Sequence, residues 1–314
     1  MNQPSLLDCL IVGGGAAGMV ASIYMKRFRR SVAIADSGKS RLLWIPTSHN
    51  YPGYAKGIQG RELLARLRRQ AEEYDVPIVD AMVTGVTRLE DGTFEAAAGE
   101  RILRARTIIL ATGVVDLTPD FPGAGEALAN GCLRYCPICD GFEAIDRKVA
   151  VVSKGNAGIG EALFIRNYTD DLTLLTLGDP THPEPAQQDK MNEAGLKRID
   201  TRVTGMRYRD DQSVEVRFDD GAIDYFDVIY SALGTRVNTE LAQSLEAECA
   251  PDGAMVVDEH MQSSIPGLYA AGDIVTGLNQ IAVAMGHAAI AATAIHNQLG
   301  RPLHRGRDEN NRMQ

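Results

Sequence analysis

The sequence predicts an α/β protein built from two Rossmann-like three-layer domains, one inserted into the other. Two observations carry this expectation. A glycine-rich turn joins an apolar strand to a helix near the start of the chain, and a degraded copy of that arrangement recurs in the middle. Between and after these copies, buried strands run into Pro- or Gly-containing segments that read as crossings between domains. At 314 residues the chain is also long for a single core.

The first unit opens with the apolar run Leu6 to Val12, which ends in Gly13-Gly14-Gly15-Ala16-Ala17-Gly18. Helical material follows to about Arg29, and a second strand from Ser31 to Ala35 ends at Asp36. In this β-α-β setting each glycine has a role: Gly13 allows the tight turn, Gly15 lets the backbone approach a pyrophosphate, and Gly18 lets helix and strand pack closely. The helix N-terminus offers N–H groups and a dipole to the phosphates. Asp36 stands where an acid accepts from a ribose hydroxyl. Helical spacing returns from Gly60 to Tyr74, with Leu63, Leu64, Leu67 and Ala71 on one face. Val83 to Leu89, Thr93 to Ala97 and Ile102 to Arg104 read as an antiparallel excursion. Thr107 to Leu110 is a buried strand leading to Ala111-Thr112-Gly113, and Pro119 and Pro122 mark the first crossing.

The second copy begins at Lys148 to Val152 and continues through Ser153-Lys154-Gly155-Asn156-Ala157-Gly158, with Ser153 in place of the first fingerprint glycine. A helix from Ile159 to Tyr168 and a strand from Leu172 to Thr176 complete the unit. Pro180, Pro183 and Pro185 suggest an irregular loop, Leu196 to Met206 and Val214 to Phe218 further strands, and Asp219-Asp220-Gly221 a turn. Asp227 to Leu233 is a buried strand before the return crossing at Gly234 to Asn238. Leu268 to Asp273 is another, Gln280 to Asn297 an Ala-rich helix, and His304 to Gln314 a polar, fraying tail.

Between the two copies lies Arg134-Tyr135-Cys136-Pro137-Ile138-Cys139-Asp140-Gly141. A C-x-x-C pair closes a small reversible ring: one thiolate attacks an external disulfide and its partner resolves the mixed disulfide. Lowered thiol pKa values are common in such motifs. Half of a zinc site is the competing reading. Zinc needs four ligands and there is no second C-x-x-C, although Cys132 with a distant histidine leaves a three-thiolate site open. Cys9 and Cys249 read as buried small residues.

A net charge of −9 argues against nucleic-acid binding. Five cysteines without framework spacing fit a reducing cytoplasm, no segment has signal-peptide order, and no apolar run is long enough for a bilayer. A soluble, cytoplasmic protein with no membrane partner is expected.

Five motifs occur in an order and spacing that resemble the low-molecular-weight thioredoxin reductase family of flavoproteins over nearly the whole chain. They are Gly13-x-Gly15-x-x-Gly18, Asn50-Tyr51-Pro52-Gly53, Ala111-Thr112-Gly113, Cys136-x-x-Cys139-Asp140-Gly141 and Ala271-Gly272-Asp273. The resemblance implies an FAD domain from residues 1–117 and 241–314, an inserted pyridine-nucleotide-type domain at 118–240 carrying the C-x-x-C, and a homodimer. It implies FAD contacts from Gly13, Gly15, Ala16, Ala17, Gly18, Asp36, Ser37, Val83, Ala111 and Gly113, and Arg41 and Trp44 are further candidate contacts outside the family pattern. Gly272 and Asp273 would meet the ribityl–pyrophosphate region, Gln280 and Ile281 the flavin pyrimidine, and Asn50 and Thr112 the flavin. By the same resemblance Cys136, Cys139 and Asp140 are catalytic. Cys139 faces the flavin, Cys136 attacks the external disulfide, and Asp140 is the general acid for the outgoing thiolate. The partner implied is a thioredoxin-like protein or a small disulfide.

The departures matter equally. NADPH-using members carry His-Arg-Arg where this chain has Thr176-Leu177-Gly178. Guanidinium forks grip a 2′-phosphate bidentately, so their loss argues against tight NADPH binding. Ferredoxin-fed branches and diflavin branches, in which a second flavin takes the place of NADPH, fit this pattern, and gliotoxin-type dithiol oxidases are also similar. Three functions stay open: a disulfide reductase with another donor, a dithiol oxidase yielding hydrogen peroxide, and a non-enzymatic flavin redox sensor. The last ten positions contain no aromatic residue, so a tail that shields the flavin by stacking is not expected. Arg41 and Trp44 also depart from the family loop. Trp44, the only tryptophan, is placed to cover the isoalloxazine or a second ring, with a partly buried loop anchor as the alternative. His287 reads as a packed or dimer-contact histidine.

Overall fold

The computed structural model describes residues 6–275 and 277–300; the tail expected over His304 to Gln314 lies outside them. The chain starts with β1 (Leu7–Val12), α1 (Ala16–Arg27) and β2 (Val32–Asp36), the expected β-α-β unit. All of β2 and the last four residues of β1 are buried. Both therefore read as continuous apolar runs, as strands covered on two faces do. Next come a 3-10 turn at Arg41–Trp44, α2 (Gly60–Glu72), β3 (Ile78–Asp80), β4 (Val83–Arg88), β5 (Phe94–Ala98) and β6 (Arg101–Leu110). In α2 Leu63, Leu67 and Ala71 of the predicted face are buried, and Leu64 is half-buried.

The middle of the chain contributes β7 (Val114–Asp116), α3 (Ala124–Ala129), β8 (Leu133–Arg134), α4 (Pro137–Asp140), β9 (Val149–Val152), α5 (Ile159–Ile165) and β10 (Leu172–Leu175). It continues with α6 (Pro185–Glu193), β11 (Lys197–Ile199), β12 (Val203–Tyr208), β13 (Val214–Phe218), β14 (Ile223–Phe226), β15 (Val228–Ser231) and β16 (Thr235–Val237). α7 (Glu240–Ser244), β17 (Leu268–Ala270) and α8 (Ile281–Gln298) complete the described chain.

Two sequence expectations need correction. The proline-rich stretch is not all loop: Pro185 opens α6, because its missing N–H and fixed φ suit a first helical turn. The strand expected over Leu196 to Met206 is two strands. They separate at Asp200, whose carboxylate accepts the Thr176 hydroxyl and pairs with Arg198.

One sheet runs β3-β2-β1-β6-β5-β4, with β17 also on β6; β4, β5 and β6 are its antiparallel excursion. A second, fully parallel sheet runs β11-β10-β9-β15-β8. β12-β13-β14 form a small meander, and β7 pairs with β16. The described residues divide into two compact units, one within 6–42, 63–113 and 237–300 and the other within 43–62 and 114–236. The first unit's core gathers Leu10, Phe94, Ile108, Leu110, Leu268 and Ala270 around its sheet. The second has a core on each side of its parallel sheet, one around Phe226 and Ile229 and the other around Tyr230 and Ile165. Among the described residues no helix is long and apolar enough to cross a membrane.

Candidate functional site

In the first unit, register brings three strand ends into one row. Val12 pairs with Leu110, and Leu110 with Ala270. The chain therefore leaves the sheet at Gly13, Ala111 and Ala271 side by side, at the carboxyl ends where open α/β sheets bind ligands. Gly13 has φ +108°, and a Cβ there would lie 2.3 Å from the Ala111 carbonyl oxygen. A Cβ on Gly18 would lie 1.9 Å from the Gly13 carbonyl oxygen. The turn itself excludes side chains at both positions. Asp36, buried at the end of β2, accepts from the Gly14 and Gly38 N–H groups at 3.2 and 3.0 Å and pairs with Arg68 Nη2 at 2.7 Å. Arg41 pairs with Asp273 at 2.8 Å. The Thr112 hydroxyl donates to the Asn238 carbonyl at 2.7 Å, and the Asn238 amide returns to the Thr112 carbonyl at 2.9 Å.

α1 and α8 both begin with no side-chain cap and no acidic residue in the first turn. Such helix starts suit anionic ligand groups. Together with the glycine cradle and the Asp36 carboxylate, they fit FAD. Gln280 is the N-cap of α8 and Ile281 its first residue. Ser37 is exposed beside Asp36, while the Val83 side chain is committed to the core. His287 is half-buried on α8, and its Nδ1 is enclosed without a partner among the described residues. Burial pushes its pKa down.

The second unit holds the cysteine pair. Cys136 is the N-cap of α4 and Pro137 occupies the first turn. This tight turn sets the two Cα atoms 5.3 Å apart, and Cys136 and Cys139 are joined as a disulfide. With both sulfurs bonded, neither is a thiolate ligand for zinc. Cys132 is buried, its thiol directed to the Gln212 carbonyl. Cys249, expected to be buried, is half-buried.

Asp140 ends α4. The Tyr230 hydroxyl donates to its Oδ1 at 2.8 Å and to its carbonyl oxygen at 3.0 Å. Arg134 Nη1 donates to the same carbonyl at 3.2 Å, and Arg134 Nε lies 3.9 Å from Asp140 Oδ2. Burial pushes the Asp140 carboxyl above the usual carboxylate range, against the pull of the Arg134 charge and the Tyr230 hydroxyl. Burial and the neighbouring Asp140 also push the Tyr230 phenol up, so it stays a donor. Asn50 Nδ2 donates to the Ile138 carbonyl, between the two cysteines, at 3.3 Å. Ile138, Phe142 and Trp44 are 50%, 71% and 61% exposed. Trp44 is therefore no buried anchor.

The second glycine loop differs from the first. The Ser153 hydroxyl accepts from the Gly158 N–H at 2.7 Å, so the residue that replaces a glycine caps the loop from inside. Asn156 exchanges hydrogen bonds of 2.8 and 2.7 Å with the His182 backbone, and the Gly155 N–H donates to the Asp179 carbonyl at 3.2 Å. The chain's own segment 179–182 thus takes up the Asn156 amide and the Gly155 N–H of this loop. After β10, the Arg202 stem packs on Gly178. One arginine does reach this turn, from the loop between β11 and β12. Arg198 is held by Asp200 and Thr181.

The model of the pyridine nucleotide-disulphide oxidoreductase family matches residues 7–288. The chain belongs to this family. Among its relatives, the F component of alkyl hydroperoxide reductase from Pseudomonas putida is 30% identical over 322 residues, covering 96% of this chain and 60% of that protein. The chain thus spans about 60% of the length of that relative. Thioredoxin reductase of Treponema pallidum (strain Nichols) is 29% identical over 301 residues, covering 91% and 95% of the two chains. Among solved structures, thioredoxin reductase from Streptococcus pyogenes MGAS5005 has a TM-score of 0.87 at 27% identity, covering 95% and 99%. The thioredoxin reductase-like resemblance and the two-domain α/β fold both stand. Most of the residues expected to hold FAD gather in the first unit. Trp44 and Asn50 belong instead to the segment grouped with the disulfide. Arg68, Asn238 and Tyr230 were not anticipated, because helix packing or strand order brings them to their sites, whereas Arg134 lies in the cysteine run itself but gains its role only through the fold.

Proposed function

We propose that the chain is an FAD-dependent thiol–disulfide oxidoreductase that moves electrons between flavin and the Cys136–Cys139 pair, and onward to a thioredoxin-like protein or small disulfide. The observation that carries this reading is the Cys136–Cys139 disulfide closed on a half-buried turn, next to a carboxyl group whose burial favours its protonated form. Asp36 and the uncapped start of α1 would hold the ribose and the pyrophosphate of FAD in the first unit, and the bound flavin would supply the electron pair that opens the disulfide. Cys139 is the sulfur that exchanges electrons with the flavin, Cys136 attacks the external disulfide, and Asp140 gives a proton to the sulfur that leaves. Ile138 and Phe142 offer apolar surface for a protein partner. The crossings near Pro119 to Pro122 and Gly234 to Asn238 are the candidate hinges of a rotation that lets the disulfide serve flavin and partner in turn.

The self-covered second loop supports an electron donor other than NADPH, such as a ferredoxin-type one-electron carrier. Anaerobic mixing with NADPH, NADH or a reduced one-electron donor, followed by flavin bleaching, tests this directly. Bleaching by NADPH within one turnover would overturn the donor assignment. Peroxide formation from a dithiol, with no disulfide reduction, would make the protein an oxidase instead. The same reading includes a homodimer, tested by sedimentation mass, and a reducing compartment, which suits the free thiols of Cys9, Cys132 and Cys249.

A further inference from the structure

We propose that Arg134 and Tyr230 are positioning residues that clamp Asp140, so that its carboxyl group delivers a proton to the sulfur departing in disulfide exchange. This inference rests on the oxidoreductase reading above, in which Asp140 is the general acid.

Asp140 is the last residue of a four-residue helix, which cannot by itself fix a side chain. Two strands supply what α4 lacks. In the β8–β15 register Tyr230 sits opposite Arg134, so a phenol and a guanidinium are presented together from adjacent strands. Tyr230 is fully buried, and a buried phenol needs a partner for its hydroxyl. It finds two on one residue, the carboxylate Oδ1 and the carbonyl oxygen of Asp140. Arg134 adds a donor to that carbonyl, sets its charge near Oδ2, and is itself anchored on the Gly131 carbonyl at 3.0 Å. Backbone and carboxyl group of Asp140 are thus held at once. Glu143 and His49 complete the charged surroundings, their side chains 3.9 Å apart; Glu143 opposes the carboxylate and His49 favours it. Tyr168 packs at Gly141, the next residue along.

In the reduced protein the Cys136 thiolate forms a new S–S bond to one substrate sulfur, and the substrate S–S bond breaks. Its electron pair leaves on the second sulfur, which takes the Asp140 proton. The carboxylate produced accepts from Tyr230 and faces the Arg134 charge. Both groups favour the ionised form, so the proton is released more readily than from an unclamped buried acid. The Cys139 thiolate then attacks Cys136, re-forming the internal disulfide and freeing the first substrate sulfur.

Proton delivery matters only when the departing thiolate is basic. The full-length protein is reduced with dithiothreitol, freed of reductant, and mixed in single turnover with two disulfides across pH 5–9. Bis(2-hydroxyethyl) disulfide releases a basic alkyl thiolate, while 5,5′-dithiobis(2-nitrobenzoate) releases an acidic aryl one. The ratio of the two rates cancels the thiolate fraction of Cys136 and reports the acid alone. The ratio falls as pH rises through the titration of Asp140. Removing a donor from the carboxylate raises its proton affinity, so Tyr230→Phe moves that midpoint to higher pH by about one unit. Arg134→Met does the same, and Arg134→Lys moves it less. Asp140→Asn abolishes the pH dependence of the ratio. If Asp140→Asn changes the ratio but neither Tyr230→Phe nor Arg134→Met moves the midpoint, the clamp is wrong and the general acid stands. If Asp140→Asn leaves the ratio unchanged, the general-acid reading itself fails. Merely structural roles for Arg134 and Tyr230 would lower both rates together and leave the midpoint in place.

Discussion

A methyl group on Gly18 would fall 1.9 Å from the Gly13 carbonyl oxygen, which belongs to backbone and cannot swing aside. Gly18→Ala should therefore force α1 away from β1, at about 1–3 kcal/mol of overpacking strain. Thermal unfolding should come several degrees earlier, and dialysed protein should lose its flavin colour. Unchanged melting and retained colour would contradict the cradle. For the cysteines, Cys136→Ser should keep the flavin and abolish turnover of external disulfides, read by product thiol release. At this scale the glycines were legible from sequence, because their requirement is local to one turn. The surroundings of Asp140 were not. Tyr230 lies 90 residues downstream of it and meets it only because β15 is laid beside β8.

Among the elements, α5 departs most from its counterpart α1. Its N-terminal loop is closed by the Ser153 hydroxyl on the Gly158 N–H, so Ser153→Ala should cost about 1 kcal/mol in the second unit, as loss of a cap does. Denaturant midpoints measure it. The same helix carries Glu161, whose Oε2 is buried without a hydrogen-bond partner among the described residues. Burial pushes its pKa up to about 7, from 4.5. Below about pH 4.5 the group is protonated in folded and unfolded chains alike. Between the two values the unfolded chain gives up the proton that the folded chain keeps, so stability falls as pH rises through this window and stays lower above it. Glu161→Gln should flatten that slope and stabilise the protein by about 1–3 kcal/mol at pH 8, in urea titrations compared at pH 5 and pH 8. A wild-type stability that rises across the same window would refute the assignment. The strand-helix-strand units were legible because apolar runs and glycine turns alternate clearly. α6 was not, because Pro185 signals a break when read alone and a helix start only when the following residues are seen to pack.

For the whole molecule, the decisive contrast is between the two glycine loops. In the first unit the helix start is uncapped and an acid waits at the end of the second strand. In the second, Ser153, Asn156 and Gly155 are already bonded to the chain itself, and no acid follows β10 at Thr176. A dinucleotide entering there would have to displace the Asn156–His182 pair and the Gly155–Asp179 bond before gaining its own contacts. Each such exchange forfeits roughly 1 kcal/mol of net hydrogen bonding. Arg202, packed on Gly178, offers a single guanidinium in return. The expected consequence is a single flavin per chain, held in the first unit, and no tight pyridine nucleotide site. Heat release of bound cofactor, with absorbance of the supernatant set against protein concentration, should give a flavin-to-chain ratio near unity. Equilibrium dialysis should find NADPH and NADH bound no more tightly than the millimolar range, where affinity is only about 4 kcal/mol. A ratio near two would mean that the second loop opens for another flavin. Micromolar NADPH binding would mean that Arg202 does the work of the missing arginine run.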